Sequence, residues 1–235
     1  MASEESKQST KQRFISIIEQ KIISGEFAID QKLPPERELA EMAGVSRMTV
    51  HAGLLEMATR NVLRIVPRQG TYVNNFQTDG RLELFGALLQ DTDEMERGIF
   101  ESLFDFREII ETAAAERAAR YRTEENVAKM RGIIEQEHKT REPDKAALLD
   151  YQLHLHVAMA SGNLVLPMTL RSIERMYISF ATKFYSMLDD YSVIYVLHGR
   201  MTDAIEKGDT AAARAEMKIM LDHGKNLMRK RIRAK

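Results

Sequence analysis

The stretch LPPERELAEMAGVSRMTVHAGLL, residues 33–55, constrains this chain more than any other part of it. A proline pair opens it, acids follow early, and Gly44 closes the first segment as a left-handed helix end does. Ser46 then stands where it can accept a hydrogen bond from the free N–H groups of a new first turn. Val45, Val50 and Leu54 keep helical spacing on the inward side, so Arg47, Thr49 and His51 point out. Two short helices joined through AGVS make a helix-turn-helix pattern. Upstream, Phe14, Ile17, Ile18, Ile22 and Ile23 repeat at helical spacing, and Gly25 stops them. Downstream, VLRIV and TYV flank PRQG, whose Pro67 and Gly70 supply the turn of a small hairpin.

This arrangement has a chemical consequence. A helix N-terminus carries unpaired N–H groups and a partial positive charge, and the major groove of B-DNA is wide enough to admit a helix. Arg47, Thr49 and His51 are the side chains that would enter it. Arg37, with Arg60, Arg64 and Arg68 around the hairpin, would meet the flanking phosphates, and the hairpin tip at Gly70 would approach the minor groove. The formal net charge of -1 argues against polyanion binding over the whole surface, so any nucleic-acid site must be local.

After the hairpin the texture changes. Amphipathic segments are expected at about 83–91, 95–120, 123–139, 144–160, 164–187, 190–206 and 210–231, with breaks at REPD, SGN and KGD. The fold class expected is mainly α: a winged helix-turn-helix domain over 1–76, a linker at 77–82, and an all-helical bundle over 83–235. The hydrophobic fraction of 44% and charged fraction of 29% suit a globular protein, and no apolar run approaches the roughly 20 residues a bilayer span needs. The polar start MASEESKQSTKQ lacks the apolar core of a secretory signal, which points to the cytoplasm. With no cysteine, disulfides, thiolate metal sites and cysteine nucleophiles are excluded.

The segment PPERELAEMAGVSRMTVHAGLLEMATRNVLRIVPRQGTYV resembles the winged-helix domain of the GntR family of bacterial transcription regulators over nearly all of residues 10–76. The resemblance implies DNA contacts from Arg37, from Ser46, Arg47 and Thr49, and from the wing glycine, Gly70. His51 stands where that family usually has arginine. FDFREIIETAAAERAA, LLDYQLHLHVAMASGN and LHGRMTDAIEKGDTAAARAEM are similar to the FCD effector domain of the FadR subfamily. Many of its members hold a divalent metal (zinc, nickel or manganese) with one aspartate and three histidines, beside an arginine that pairs with a carboxylate effector. Carried over, the ligands fall on Asp150, His154 and His198, the arginine on Arg107, and the fourth ligand position on Met220.

Spacing agrees with part of this. Asp150 and His154 lie one turn apart on one helix face, which suits two ligands to one ion. Met220 departs from the pattern, because a thioether is a poor substitute for imidazole on these metals. His223, three residues on, is the nearest replacement. The resemblance also admits an acyl-CoA effector without metal, for which methionine and aromatic residues including Tyr177, Phe180, Phe184 and Met220 would line an apolar cavity. A metal-dependent hydrolase built on Asp150, His154 and His198 is disfavoured, since no base or nucleophile is placed beside them and a DNA-reading domain would be idle. The expected function is therefore that of a homodimeric, non-enzymatic transcription regulator, a repressor in the commonest form of the family, responding to a small carboxylate or acyl effector.

Overall fold

A computed structural model of the protein describes residues 9–75, 78–79 and 97–232. The helix expected at 83–91 lies outside the described residues, as does most of the linker expected at 77–82. The chain divides into two compact units, Met1–Thr92 and Asp93–Lys235.

The first unit starts with α1 (Thr10–Ile23), whose N-cap Ser9 accepts from the Gln12 N–H. Phe14, Ile15, Ile18 and Ile22 are its buried stripe. Helix α2 (Glu36–Ala43) ends at Gly44 with φ 65°, a left-handed turn that costs glycine nothing. Ser46 caps α3 (Arg47–Thr59) through the Thr49 N–H at 3.1 Å. Val50, Leu54 and Met57 of α3 close onto α1, and the contact is tight: a Cβ on Gly53 would lie 2.5 Å from the Phe14 ring. A glycine that weakens an isolated helix here permits close approach.

Strands β1 (Leu63–Val66) and β2 (Gly70–Val73) pair antiparallel with Leu63 opposite Val73 and Val66 opposite Gly70. The backbone before α2 joins this hairpin as a third, short strip, since Leu33 N–H donates to Thr71 O, Asp30 N–H to Val73 O, and Lys32 bridges Tyr72. That strip is too brief and too polar to show a strand period in sequence. Gly70 has φ 127°, a conformation open to glycine, and Lys32 Cε lies 2.8 Å from where a Cβ would stand.

The second unit is helical: α4 (Arg97–Tyr121), α5 (Glu124–Glu137), α6 (Pro143–Ala160), α7 (Val165–Ser172), α8 (Glu174–Tyr185), α9 (Ser192–Lys207) and α10 (Thr210–Ile232). Thr123 and Asn126 form a reciprocal capping box at the start of α5, Pro143 opens α6, and Gly208 (φ 76°) closes α9. Helix α6 is buried on most of its circumference, packing against α4, α5, α7 and α8, as its nearly continuous apolar sequence requires. The expected single segment at 164–187 is instead two helices meeting at Ile173. The Thr169 and Ser172 hydroxyls bond back to the Val165 and Thr169 carbonyls, a competition with the backbone ladder that bends and ends helices. Helices α4 and α10 are laced by ion pairs, among them Asp105 with Lys225 and Glu116 with Arg214.

Candidate functional site

In the first unit, Arg37, Ser46, Arg47 and Thr49 line one open recess with Gly44 and Val45. The left-handed Gly44 turn and the Ser46 cap create it by bringing the start of α2 beside the start of α3. Arg37, Ser46 and Arg47 are exposed, as an approach to DNA would need. Three other expected contacts are already engaged. His51 Nδ1 lies 2.8 Å from Glu36 Oε1, Arg60 is paired with Glu56 and Glu19, and Arg64 donates to Asp30 at 2.7 Å while lying over the Tyr72 ring. Arg68 is exposed at the hairpin tip with φ 65°, a left-handed conformation unusual for arginine. Lys32, not singled out by sequence, stands against Gly70 at the same hairpin because of the unforeseen third strip.

In the second unit, α6 supplies Asp150 and His154 one turn apart and α9 supplies His198. Each offers one ligand atom, all within 4.8 Å of one another. The two imidazoles are held alike. His154 Nδ1 is bonded to Glu111 of α4, and His198 Nδ1 lies 2.8 Å from Glu137 of α5. That leaves each Nε2 turned toward Asp150, at 3.9 Å for His154 and 3.6 Å for His198. His198 is fully buried and its Nε2 has no hydrogen-bond partner among the described residues. Asp150 accepts from the Tyr177 and Tyr185 hydroxyls at 2.6 and 2.9 Å. His223 is not brought to this group, whereas Met220 lines the adjoining cavity with Arg107, Asp150 and His154. Sequence reasoning did not find Glu111, Glu137 or Tyr185. Glu111 left a trace, one helical turn after Arg107, but Glu137 lies 61 residues from His198 and left none.

Arg107 is only 14% exposed. Its Nε donates to Glu111 at 2.5 Å, its Nη2 donates to the Tyr177 hydroxyl at 2.8 Å, and its guanidinium lies 4.1 Å from the Tyr177 ring centroid. One edge of the guanidinium is thus occupied by Glu111, which leaves the opposite edge rather than a free bidentate fork.

The electrostatics follow from this wiring. Burial acts to raise the Glu111 carboxyl, but Arg107 and the His154 ring outweigh it and hold it down to about 2. Burial likewise opposes ionisation of Asp150, yet the two histidines and the Tyr177 hydroxyl keep it below the ordinary aspartate value. The His198 ring is shifted up, because Glu137 and Asp150 overcome the effect of burial. Burial pushes the Tyr177 and Tyr185 hydroxyls well above the usual phenol value, with Asp150 adding to it, so both remain neutral donors. Glu111, Glu137 and Asp150, when ionised, bring three negative charges against the one positive charge of Arg107. The cluster therefore favours a cation, whether histidine protons or a metal.

A winged helix-turn-helix unit followed by a helical unit, whose mostly apolar cavity has Arg107, Asp150 and His154 in its wall, is the build of a two-domain DNA-binding regulator. Family comparisons agree. Residues 10–73 match the family model "Bacterial regulatory proteins, gntR family" and residues 102–223 match the "FCD domain" model. The chain belongs to the GntR family of transcription regulators, with an FCD effector domain, and members of that family are DNA-binding proteins rather than enzymes. Among its relatives, the Uxu operon transcriptional regulator of Escherichia coli (strain K12) is 30% identical over 173 residues, 71% of this chain and 64% of that protein. The match thus spans just under two thirds of that relative. The fatty acid metabolism regulator protein of Pectobacterium carotovorum subsp. carotovorum is 27% identical over 170 residues, 72% of this chain and 70% of that protein. Of solved structures, Streptococcus agalactiae GntR aligns at TM-score 0.50 with 25% identity over 92% of this chain and 99% of its own. E. coli McbR/YncC aligns at TM-score 0.54 with 16% identity, covering 95% and 98%, a likeness of fold alone. Among the described residues no helix is long and apolar enough to cross a membrane.

Proposed function

We propose that this GntR-family regulator acts as a homodimeric, ligand-responsive repressor whose effector domain binds a small carboxylate with the help of a divalent metal. The observation that carries the reading is the pair of buried imidazoles, each with Nδ1 tied to a carboxylate and Nε2 turned toward Asp150. Carboxylate-backed histidines of this kind fix the tautomer that presents Nε2 to a metal and raise its basicity. A dipositive ion would also cancel the two uncompensated negative charges of the cluster. Asp150, His154 and His198 would hold the ion, and Met220 would stand beside it without replacing an imidazole.

When bound, such an ion supplies a Lewis-acid anchor for a carboxylate oxygen. Arg107 would take the other oxygen on the guanidinium edge not used by Glu111. Tyr177 touches both Arg107 and Asp150, so a ligand arriving between them alters the hydrogen bonds that place α8. Effector binding changes operator affinity only if it favours one arrangement of the dimer over another. On the DNA side, Arg37, Ser46, Arg47 and Thr49 would meet the major groove, with Arg68 and Gly70 at the wing, and a two-fold dimer would select a palindromic site.

Metal analysis of the full-length protein after gel filtration in a weak chelator tests the reading. About one divalent ion per chain is expected, lost in His154→Ala. No retained metal in the wild type, with none recovered in Met220→His, overturns it. That result would favour an acyl-CoA effector, the reading supported by the apolar cavity walls and by relatives named as fatty acid metabolism regulators.

A further inference from the structure

The cavity beside Asp150 is chemically lopsided. Among the described residues, Arg107, Asp150 and His154 are the only charged or polar side chains that line it, and they are linked to one another through Glu111 and Tyr177. The rest of the wall is carbon and thioether, with Phe180, Phe184, Ile194, Met220, Leu221 and Met228 facing the space. None of these offers a hydroxyl, amide or charge to a ligand. A hydroxyl group brought against such a wall gives up its bonds to water and receives nothing in exchange. Gly224, in the middle of α10, contributes no side chain, and even a Cβ there would only just reach Phe104, 3.9 Å away, so the wall is kept open at that point.

From this lining we infer that the effector is a monocarboxylate with an apolar tail, and not a polyhydroxylated acid. The inference rests on the carboxylate reading above and adds the character of the tail. The free space is ≈ 50 Å³. At about 10–15 Å³ for each water-sized group on the same measure, that accommodates about four such groups: the three heavy atoms of a carboxylate and the first carbon of a chain. Further carbons would run along Phe180, which is half-buried, while the methionine side chains adjust to tails of different length. Met220 fits this picture in its own right: it lines the cavity together with Arg107, Asp150 and His154 and presents an apolar, adaptable surface next to the carboxylate end.

Calorimetric titration of the full-length, zinc-dialysed protein with butyrate, hexanoate, octanoate, gluconate, methyl hexanoate and octanoyl-CoA tests the inference. Affinity should rise about fourfold per methylene from butyrate to hexanoate, the equivalent of about 0.8 kcal/mol per buried CH₂. Methyl hexanoate, which lacks the carboxylate, should bind at least about tenfold more weakly, a loss of the size expected when a charge-assisted pair is removed. Gluconate should not bind. Phe180→Ser should shrink the preference for hexanoate over butyrate without changing metal content, and Phe180→Leu should restore most of it. A flat chain-length series, or gluconate binding more tightly than hexanoate, overturns the apolar tail while leaving the carboxylate reading standing. Binding of octanoyl-CoA with no binding of any free acid overturns both.

Discussion

The two units of this chain place their chemistry in opposite environments. In the winged-helix unit the side chains proposed to meet DNA, Arg37, Ser46, Arg47 and Arg68, are exposed and rest on a small apolar core of Phe14, Ile18, Leu39, Val50, Leu54 and Met57. In the effector unit the polar residues of the candidate site lie inside the apolar core: Glu111, Glu137, His154 and His198 are each 2% exposed or less. An exposed group can be changed with little consequence for folding, because water replaces its partner. A buried ionised group cannot, because its partner is left in a medium that does not solvate it. The first unit should therefore separate stability from function under mutation, and the second should not.

The strongest attempt to break that contrast is Glu111→Ala. It removes the acceptor shared by Arg107 and His154 and leaves a buried guanidinium short of a counter-charge. Losing one partner of such a buried pair costs about 3–5 kcal/mol. Urea unfolding of the full chain should show this loss in the effector unit alone, with the winged-helix unit unchanged. A loss below about 1 kcal/mol would mean that the cluster is no more costly to disrupt than a surface pair.

Glu137→Gln is the gentler probe of the same interior. The amide keeps the volume and can still hydrogen-bond His198 Nδ1, but it removes the charge that makes the ring basic. Changes to such outer partners cost about 10–100-fold in metal affinity. Competition with a metal-sensitive dye should find that loss under the proposed function. Equal zinc affinity in wild type and variant would reduce Glu137 to a packing role.

The contrast also explains what could be read from sequence. The DNA-reading unit was legible almost throughout, because Gly44, Ser46 and the Val45, Val50, Leu54 spacing are local signals, each fixed within a few residues. What sequence could not show there was pairing at a distance, such as Arg64 with Asp30 across 34 residues, or the Lys32 strip on β2. Among the described residues of the effector unit the helices were legible from periodicity, apart from the break at Ile173, where the Thr169 and Ser172 hydroxyls bond back to the helix carbonyls. The Asp150–His154 spacing was local and visible. The partners that give those residues meaning, Glu111, Glu137 and Tyr185, come from three other helices, and only the packing of α4, α5 and α8 about α6 assembles them.

On the exposed side, Arg47→Ala should leave stability within about 0.5 kcal/mol of wild type, since the side chain is exposed on the first turn of α3. Specific operator binding should weaken by about 1–3 kcal/mol if the guanidinium reads a base edge. Fluorescence anisotropy at fixed salt, with specific and scrambled duplexes, measures both the loss and its sequence dependence. Equal loss on both duplexes would reassign Arg47 from base reading to phosphate contact.

The smallest expected effect distinguishes two arginines that look equivalent in sequence. Arg64 is already bonded to Asp30 and stacked on Tyr72, whereas Arg68 sits exposed at the hairpin tip beside the glycine that lets the turn close. A phosphate contact by Arg64 would first require giving up an ion pair, so its net contribution to DNA binding should be the lesser. Arg68→Ala should reduce the slope of log affinity against log salt by about one, the signature of a single lost phosphate contact, with a uniform loss across sequences. Arg64→Ala should change the slope by less than half as much and should cost about 0–1 kcal/mol of stability, the range of an exposed pair. Asp30→Ala completes the test. It frees Arg64 without touching Arg68, so DNA affinity should rise slightly at low salt if the pair holds Arg64 back. An unchanged affinity in Asp30→Ala, together with equal salt slopes for the two arginine variants, would show that Arg64 reaches DNA as readily as Arg68 and that its pairing with Asp30 carries no weight in recognition.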